Sequence, residues 1–153
     1  MIQRLFSRRP GRRGNMLIEF SIGASLFVTA FTATFQYGYI FYRYNTLENA
    51  VNSAARYASL APYDSANTTP STAFLAKVRN MVVYGKPSAG TNPVVPGLTT
   101  SHVVLTPVFA NGVPVYMKVH INGFTIDGVF GKMNCTGKPV VRYAYQGRWA
   151  PIQ

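Results

Sequence analysis

The residues that could support acid, base or metal chemistry are few in this chain of 153 residues. Outside the apolar N-terminal segment there are three acids, which are Glu48, Asp64 and Asp127. The remaining residues able to ligate a metal are His102, His120 and Cys135. Two histidines on neighbouring predicted strands and one thiol fall short of the four ligands of a structural zinc site. We therefore expect that the protein is not an enzyme and that it holds no metal or cofactor.

A more informative residue is Glu19, the only acid among the first 47 residues. It lies five positions after Gly14, and no charged residue follows it from Phe20 to Tyr42. A charged side chain at the centre of a bilayer costs about 2.5–3.5 kcal/mol and less near the surface, so an acid here suggests a functional contact with a partner. The alternative is that Glu19 lies at the cytoplasmic headgroups and extends into water.

Basic residues dominate the charge balance, which is +11 for the whole chain. Five of them precede the apolar run with no acid among them, at Arg4, Arg8, Arg9, Arg12 and Arg13. Cations beside a first membrane helix hold that side in the cytoplasm, so we expect Arg8, Arg9, Arg12 and Arg13 to set the orientation, with the C-terminal part outside. The other Lys and Arg are scattered from Arg43 to Arg148 without a dense block, which argues against nucleic acid as a partner.

One long helix is predicted for residues 15–61, because this stretch has no proline and only two glycines. Such a helix would be about 70 Å long, more than twice the ~30 Å hydrocarbon core of a bilayer. We place the transmembrane segment at about residues 17–42, since tyrosines cluster near Arg43 as an interfacial belt. The first half is rich in small residues that permit close helix packing in a membrane, although a weakly hydrophobic anchor would have a similar composition.

The rest of the chain, residues 62–153, is predicted to be a small head outside the cytoplasm. Apolar residues between Phe74 and Val82 recur at helical spacing, which predicts a short second helix with Ser71 or Thr72 as its N-cap. The predicted fold class is therefore α+β, with a long N-terminal helix, a short helix and a small antiparallel β-sheet.

Three strands are predicted for that sheet. Val103 to Phe109 and Val113 to Ile121 are joined by Asn111-Gly112, a strong hairpin signal, and the second strand alternates apolar and other residues from Val113 onwards. A third strand runs from Val140 to Tyr145. Between them, residues 123–137 contain four glycines and have no clear predicted structure.

The residues around Gly14 form a specific pattern. A basic leader (residues 1–14) ends in this glycine, four mostly apolar residues follow, and then come Glu19, Phe20 and the uncharged run. The pattern resembles the processing site of type IV prepilins, and it is most similar to the Tad or Flp branch. The resemblance implies cleavage between Gly14 and Asn15 by a prepilin peptidase, with Glu19 at the fifth mature position.

The remainder of the chain resembles the TadE-like pseudopilins more than the major pilin, which is much shorter. Ala50 to Ala58 is similar to the alanine-rich, arginine-containing segment that ends the TadE N-terminal helix. The loop Val95-Pro96-Gly97-Leu98-Thr99 and the two strands after it are also similar to that family. TadE-like sequences include members that are never cleaved, so processing stays an expectation.

The resemblance also implies a role for Glu19. Cleavage would create an α-amino group on Asn15, with a reference pKa of about 7.7–8.0. In the pilin family the glutamate is thought to attract the new N-terminus of a neighbouring subunit as helices pack, with Phe20 beside it in the assembly segment.

These observations lead to two hypotheses for function. The first is a minor pilin or pseudopilin of a Tad-type pilus assembly and secretion system in the bacterial inner membrane, with a periplasmic or extracellular head. Its partners would be other pilin subunits, the prepilin peptidase and the pilus assembly machinery. The alternative is an uncleaved, membrane-anchored periplasmic binding module for a polyanion such as DNA or cell-wall polymer.

Overall fold

The computed structural model describes residues 12–148, with side chains from residue 15 onwards. Helix α1 runs over Arg12–Leu60 and contains 49 residues, which confirms the predicted long helix. Four hydroxyls in its first half donate to the carbonyl oxygen four residues earlier at 2.7–2.9 Å, namely those of Ser21, Ser25, Thr29 and Thr34. The helix backbone therefore satisfies these four hydroxyl groups.

The two halves of α1 have different surroundings. Side chains from Asn15 to Phe35 are exposed, apart from the half-buried Ala24 and Thr32. The second half is packed against the head, and its fully buried residues are Leu47, Val51, Ala54, Ala55 and Ala58. Three of these five are alanines, whose small side chains let other elements approach the helix axis closely. The first half of α1, residues 15–35, is thus an exposed helix, which we call the rod, and the second half forms part of the core.

Helix α2 covers Thr72–Tyr84 and packs on α1. Ser71 is its N-cap, because the Ser71 hydroxyl accepts a hydrogen bond from the Phe74 amide at 3.0 Å and donates to Asp64 Oδ2 at 2.7 Å. Gly85 ends the helix in the left-handed conformation at φ 70°, where a side chain would be strained. The fold resolves the two predicted caps in favour of Ser71.

The main sheet has three antiparallel strands in the order β1-β2-β5, which are Val103–Ala110, Val113–Ile121 and Val140–Ala144. The β1–β2 turn has positive φ at Asn111 (51°) and Gly112 (78°), as a type I′ turn requires. The predicted hairpin and third strand are confirmed. This sheet packs against the second half of α1 and supplies one wall of the core.

The predicted alternation along β2 is correct only for its second half. Met117, Val119 and Ile121 are fully buried, but Val113 is exposed and Pro114 is buried. The register shifts at a β-bulge, where Val108 pairs with Tyr116 and Phe109 with Pro114. The extra residue on β2 is Val115. It shifts the alternation by one position, so the residues of β2 before the bulge occupy the opposite faces from those predicted.

A second sheet occupies the segment that lacked a prediction. β3 (Phe124–Asp127) and β4 (Lys132–Cys135) form an antiparallel hairpin. Phe124, Ile126 and Cys135 are buried in the core, whereas the Asp127–Lys132 ion pair at 3.3 Å is exposed. Such an exposed pair contributes little stability. The hairpin is therefore held by one buried face, and its loop extends towards the first half of α1.

The segment after β5 closes the end of α1. The amides of Gln146 and Gly147 donate to the carbonyl oxygen of Ser59 at 2.8 and 2.9 Å. The Tyr145 hydroxyl accepts from the Tyr63 amide at 2.8 Å. A Cβ on Gly147 would lie 2.6 Å from the Ala61 carbonyl oxygen, so only glycine permits this approach. The last turn of α1 is thus capped by residues remote in sequence.

Candidate functional site on the N-terminal helix

The exposed half of α1 is an apolar surface without cover in a single chain. Its large side chains are between 55% and 74% exposed at Leu17, Phe20, Leu26, Phe27, Phe31 and Phe35. The helix is long and apolar enough to cross a membrane, and its most apolar window is not buried by the rest of the protein. Exposed apolar surface of this extent indicates contact with lipid or with other helices.

Glu19 lies near the start of this surface. Its side chain is exposed and has no ion pair or hydrogen bond among the described residues. Asn15 is one helical turn earlier, about 6 Å along the axis and on the same face. Helical side chains lean towards the N-terminus, so the Glu19 carboxylate is directed towards the level of Asn15. Any partner for this carboxylate therefore comes from outside the described residues.

The predicted processing and orientation residues lie at the beginning of α1 or before it. Gly14 and Asn15 are in the first turn of the helix, and Phe20 is 74% exposed beside Glu19. Arg12 and Arg13 are the first two helical residues. Arg8 and Arg9 lie outside the described residues. Processing at Gly14 and orientation by these arginines therefore stay predictions.

Gln36 is a structural residue that the sequence pattern did not single out. Its side chain is only 9% exposed although it lies within the apolar run. Its Oε1 accepts from the Phe130 amide at 2.9 Å, and its Nε2 donates to the Gly131 carbonyl oxygen at 3.4 Å. We call the loop Gly128–Gly131, which joins β3 to β4, the hairpin tip. Gln36 fastens this tip to α1.

Gly128 is required for that contact. A Cβ at this position would overlap Nε2 of Gln36 and lie 2.8 Å from the Gly131 carbonyl oxygen. The Gly128 amide donates to the same carbonyl at 2.7 Å, which closes the tip. A glutamine in an otherwise uncharged apolar run needs a hydrogen-bond partner, and this was the available signal. The sequence could not show that the partner lay 94 residues away.

The candidate metal ligands are held separately in the head. His102 Nδ1 accepts from the Thr99 amide at 3.2 Å, and its ring lies 5.3 Å from that of Phe124. His120 Nδ1 is buried without a hydrogen-bond partner, and burial, followed by the charge of Lys118, lowers the pKa of His120. Burial raises the pKa of the Cys135 thiol. Within residues 12–148 no three His, Cys, Asp or Glu side chains come together as a metal site would need.

A comparison with known protein families finds a match for most of the N-terminal helix. Residues 14–56 match the family model of TadE-like proteins, which confirms the resemblance seen around Gly14 and along the helix. The matched segment contains Glu19, Phe20 and Gln36 and ends four residues before α1 does. No curated protein and no solved structure matches the chain. The TadE-like segment associates the protein with Tad pilus machinery in general.

Proposed function

We propose that this chain, through its TadE-like segment, acts as a minor pilin or pseudopilin of a Tad-type pilus assembly and secretion system. The observation that carries the proposal is the exposed half of α1, an apolar rod with Glu19 unpaired near its start. The head leaves this rod free to pack with other helices. The role is structural rather than enzymatic.

Packing along the rod is favoured by its composition. Ser21, Ser25 and Thr29 recur every four residues on one face, and their hydroxyls are bonded within the helix. A neighbouring helix can approach this face closely without leaving a polar group unsatisfied. Large residues such as Phe27 and Phe31, whose rings lie 6.5 Å apart, would fill the space beside it.

Glu19 would fix how far neighbouring helices are shifted along each other when they pack. Removal of the leader by a prepilin peptidase after Gly14 leaves a charged amine on Asn15. Pairing that amine with Glu19 of a neighbouring subunit removes two isolated charges from an apolar environment, where each is costly. The arginines of the leader hold the N-terminus in the cytoplasm until cleavage, which leaves the head on the periplasmic side of the inner membrane.

A substitution at Glu19 tests this proposal in the native host. We expect Glu19→Ala to reduce incorporation of the protein into assembled pilus complexes by about tenfold, the factor that matches loss of a charged contact of ~1.4 kcal/mol. Incorporation is measured by immunoblotting of sheared filaments and of the membrane fraction, at equal total protein.

Glu48→Ala is the matched control, since Glu48 is an exposed acid on the same helix beyond the predicted span. It should leave incorporation unchanged. Equal incorporation of Glu19→Ala and the wild type would refute the assembly role. That result is the one expected of a simple membrane anchor, in which Glu19 has no partner.

The alternative of a polyanion-binding module has no observation in its favour. On the outer face of the three-stranded sheet, Lys118 and Arg142 lie opposite each other, and Arg142 stacks on the Tyr116 ring at 3.7 Å. A single cation pair of this kind is common on protein surfaces and does not form a basic groove.

A further inference from the structure

The hairpin tip carries two apolar side chains that the core does not use. Val129 is 55% exposed and Phe130 is 71% exposed, although both belong to a tightly held loop. The tip lies against α1 at Gln36, and Phe130 borders a groove on the helix face that includes Thr29, Thr32 and Ala33. These two residues extend the exposed apolar surface of α1, and a continuous apolar surface of this kind marks contact with a membrane or a partner.

The position of the tip along α1 indicates which environment this is. About 20 helical residues cross a hydrocarbon core of ~30 Å. Counted from Leu17, the twentieth residue is Gln36. The tip therefore lies where the helix leaves the hydrocarbon, and residues 37–42 of the predicted transmembrane segment belong to the membrane interface. The charged Asp127 and Lys132 lie at the base of the tip. Tyr37 and Tyr39 follow on α1 as interfacial residues.

Part of the tip backbone is paired within the protein. Peptide groups that enter a membrane must be paired, because no water is available to them. The Gly128 amide is bonded to the Gly131 carbonyl oxygen, and the Phe130 amide and the Gly131 carbonyl are bonded to the Gln36 side chain. These contacts satisfy the Gln36 amide as well. The tip and Gln36 thus pair several of their polar groups with each other, while the side chains of Val129 and Phe130 stay exposed.

We propose that the hairpin tip is a second membrane contact, in which Val129 and Phe130 enter the outer leaflet of the bilayer that α1 crosses. This inference rests on α1 crossing a membrane, as the proposed function requires. The tip would fix the depth of α1 and hold the head upright on the membrane surface. A second copy of the chain covering the same groove is the competing occupant.

Tryptophan fluorescence in vesicles with brominated lipids tests the proposal, because bromine on the acyl chains quenches only nearby indoles. The full chain carries Trp149→Phe and one new tryptophan, at Phe130→Trp, Phe27→Trp or Tyr143→Trp. It is reconstituted at low protein-to-lipid ratio into phosphatidylcholine and phosphatidylglycerol vesicles. The bromines are placed either near the headgroup end or near the terminus of the acyl chain.

The three sites differ in expected depth. Phe27 lies halfway between Leu17 and Gln36, so its tryptophan should be quenched by bromines near the chain terminus. The Tyr143 hydroxyl donates to Asn52 at 3.2 Å, a residue about 24 Å beyond Gln36 along the helix, so its tryptophan should be quenched by aqueous iodide instead. The tryptophan at position 130 should show a several-fold loss of intensity with bromines near the headgroup end.

Each other outcome would overturn the inference and identify what failed. Lipid quenching at position 27 together with iodide quenching at position 130 would leave the membrane crossing intact and reject the tip contact. Iodide quenching at both positions would reject the crossing itself. Protection of position 130 that appears only at high protein-to-lipid ratio would identify a second copy as the occupant.

A pair of glycine variants tests the clamp in the Phe130→Trp background. Gly128→Ala places a methyl group against Gln36 and should displace the tip, which reduces headgroup-level quenching. Gly131→Ala is the matched control, because its Cβ would lie 3.5 Å from Nε2 of Gln36, an ordinary contact. Equal quenching in the two variants would show that the Gln36 clamp does not position the tip.

Discussion

Two polar residues in the apolar run have opposite environments. Glu19 is exposed and unpaired within the described chain, whereas Gln36 is buried and bonded to the hairpin tip. An unpaired polar group in lipid is costly, so each needs a partner. Gln36 finds its partner in the same chain, whereas the partner that we propose for Glu19 is the N-terminus of a neighbouring subunit. The contrast separates a residue that builds the subunit from one that is available for assembly.

We expect His120 to make the stability of the head depend on pH. Burial lowers the pKa of His120 in the folded protein below the usual histidine value of about 6.5, so the unfolded chain takes up a proton first as the pH falls. Stability is therefore present above about pH 6.5 and is lost as the solution is acidified through the lowered pKa. We expect the thermal unfolding temperature of the full chain in detergent to fall between about pH 7.5 and 5.5.

The variant His120→Gln should show a smaller fall over the same range, because it removes the titrating group. The comparison is His102→Gln, which keeps His120 and should retain the acid sensitivity. If His120→Gln and the wild type lose equal stability on acidification, the effect belongs to other groups.

At the scale of helices and strands, the sequence predicted correctly those elements whose signals lie in neighbouring residues. It failed where an element depends on contacts with distant parts of the chain. Helix α1 and the Asn111-Gly112 hairpin were predicted correctly, because their signals lie in adjacent residues. The β2 alternation was wrong before Tyr116, since a bulge depends on pairing with β1. The β3–β4 hairpin was missed because its four-residue strands are stabilised by burial of Phe124 and Ile126 against other elements.

The N-cap of α2 offers a test of one such local signal. Ser71→Ala removes the hydroxyl that accepts from the Phe74 amide, and it should lower the free energy of unfolding by about 1 kcal/mol. Thr72→Ala, at the first exposed helical position, should change stability by less than about 0.5 kcal/mol. Both are measured by chemical denaturation of the full chain in detergent. Equal effects of the two substitutions would exclude Ser71 as the energetically important cap.

At the scale of the whole molecule, the two ends of α1 differ. Its N-terminal half is exposed, and its C-terminal end is capped by the segment after β5. The C-terminal end is bonded to Gln146 and Gly147, and its neighbourhood includes the buried ring of Tyr63, 5.5 Å from Phe74 and 5.6 Å from Phe109. The half from Asn15 to Phe35 makes no comparable packing contacts. A rod fixed at one end to a folded head is the geometry that a helix-packing subunit needs.

Processing of the leader is a prediction for the protein in its native host. We expect the mature protein to begin at Asn15, because the leader pattern ends at Gly14. Gly14→Val should retain the leader, since a branched side chain would obstruct the peptidase. Gly11→Val, in the same leader, is the control and should be processed normally. N-terminal sequencing of the protein purified from membranes distinguishes these outcomes, and a wild-type chain that still carries the leader would contradict the prediction.

The sequence by itself determined the long helix, the α+β class, the β1–β2 hairpin and the TadE-like character of residues 14–56. All of these follow from patterns within short or continuous stretches of chain, such as periodicity, turn residues and the run from Gly14 to Phe20. Only the tertiary structure decided that Gln36 holds the hairpin tip and that residues 146 and 147 cap α1. These contacts join residues more than 80 positions apart, and their stability comes from burying polar groups that only the folded chain brings together.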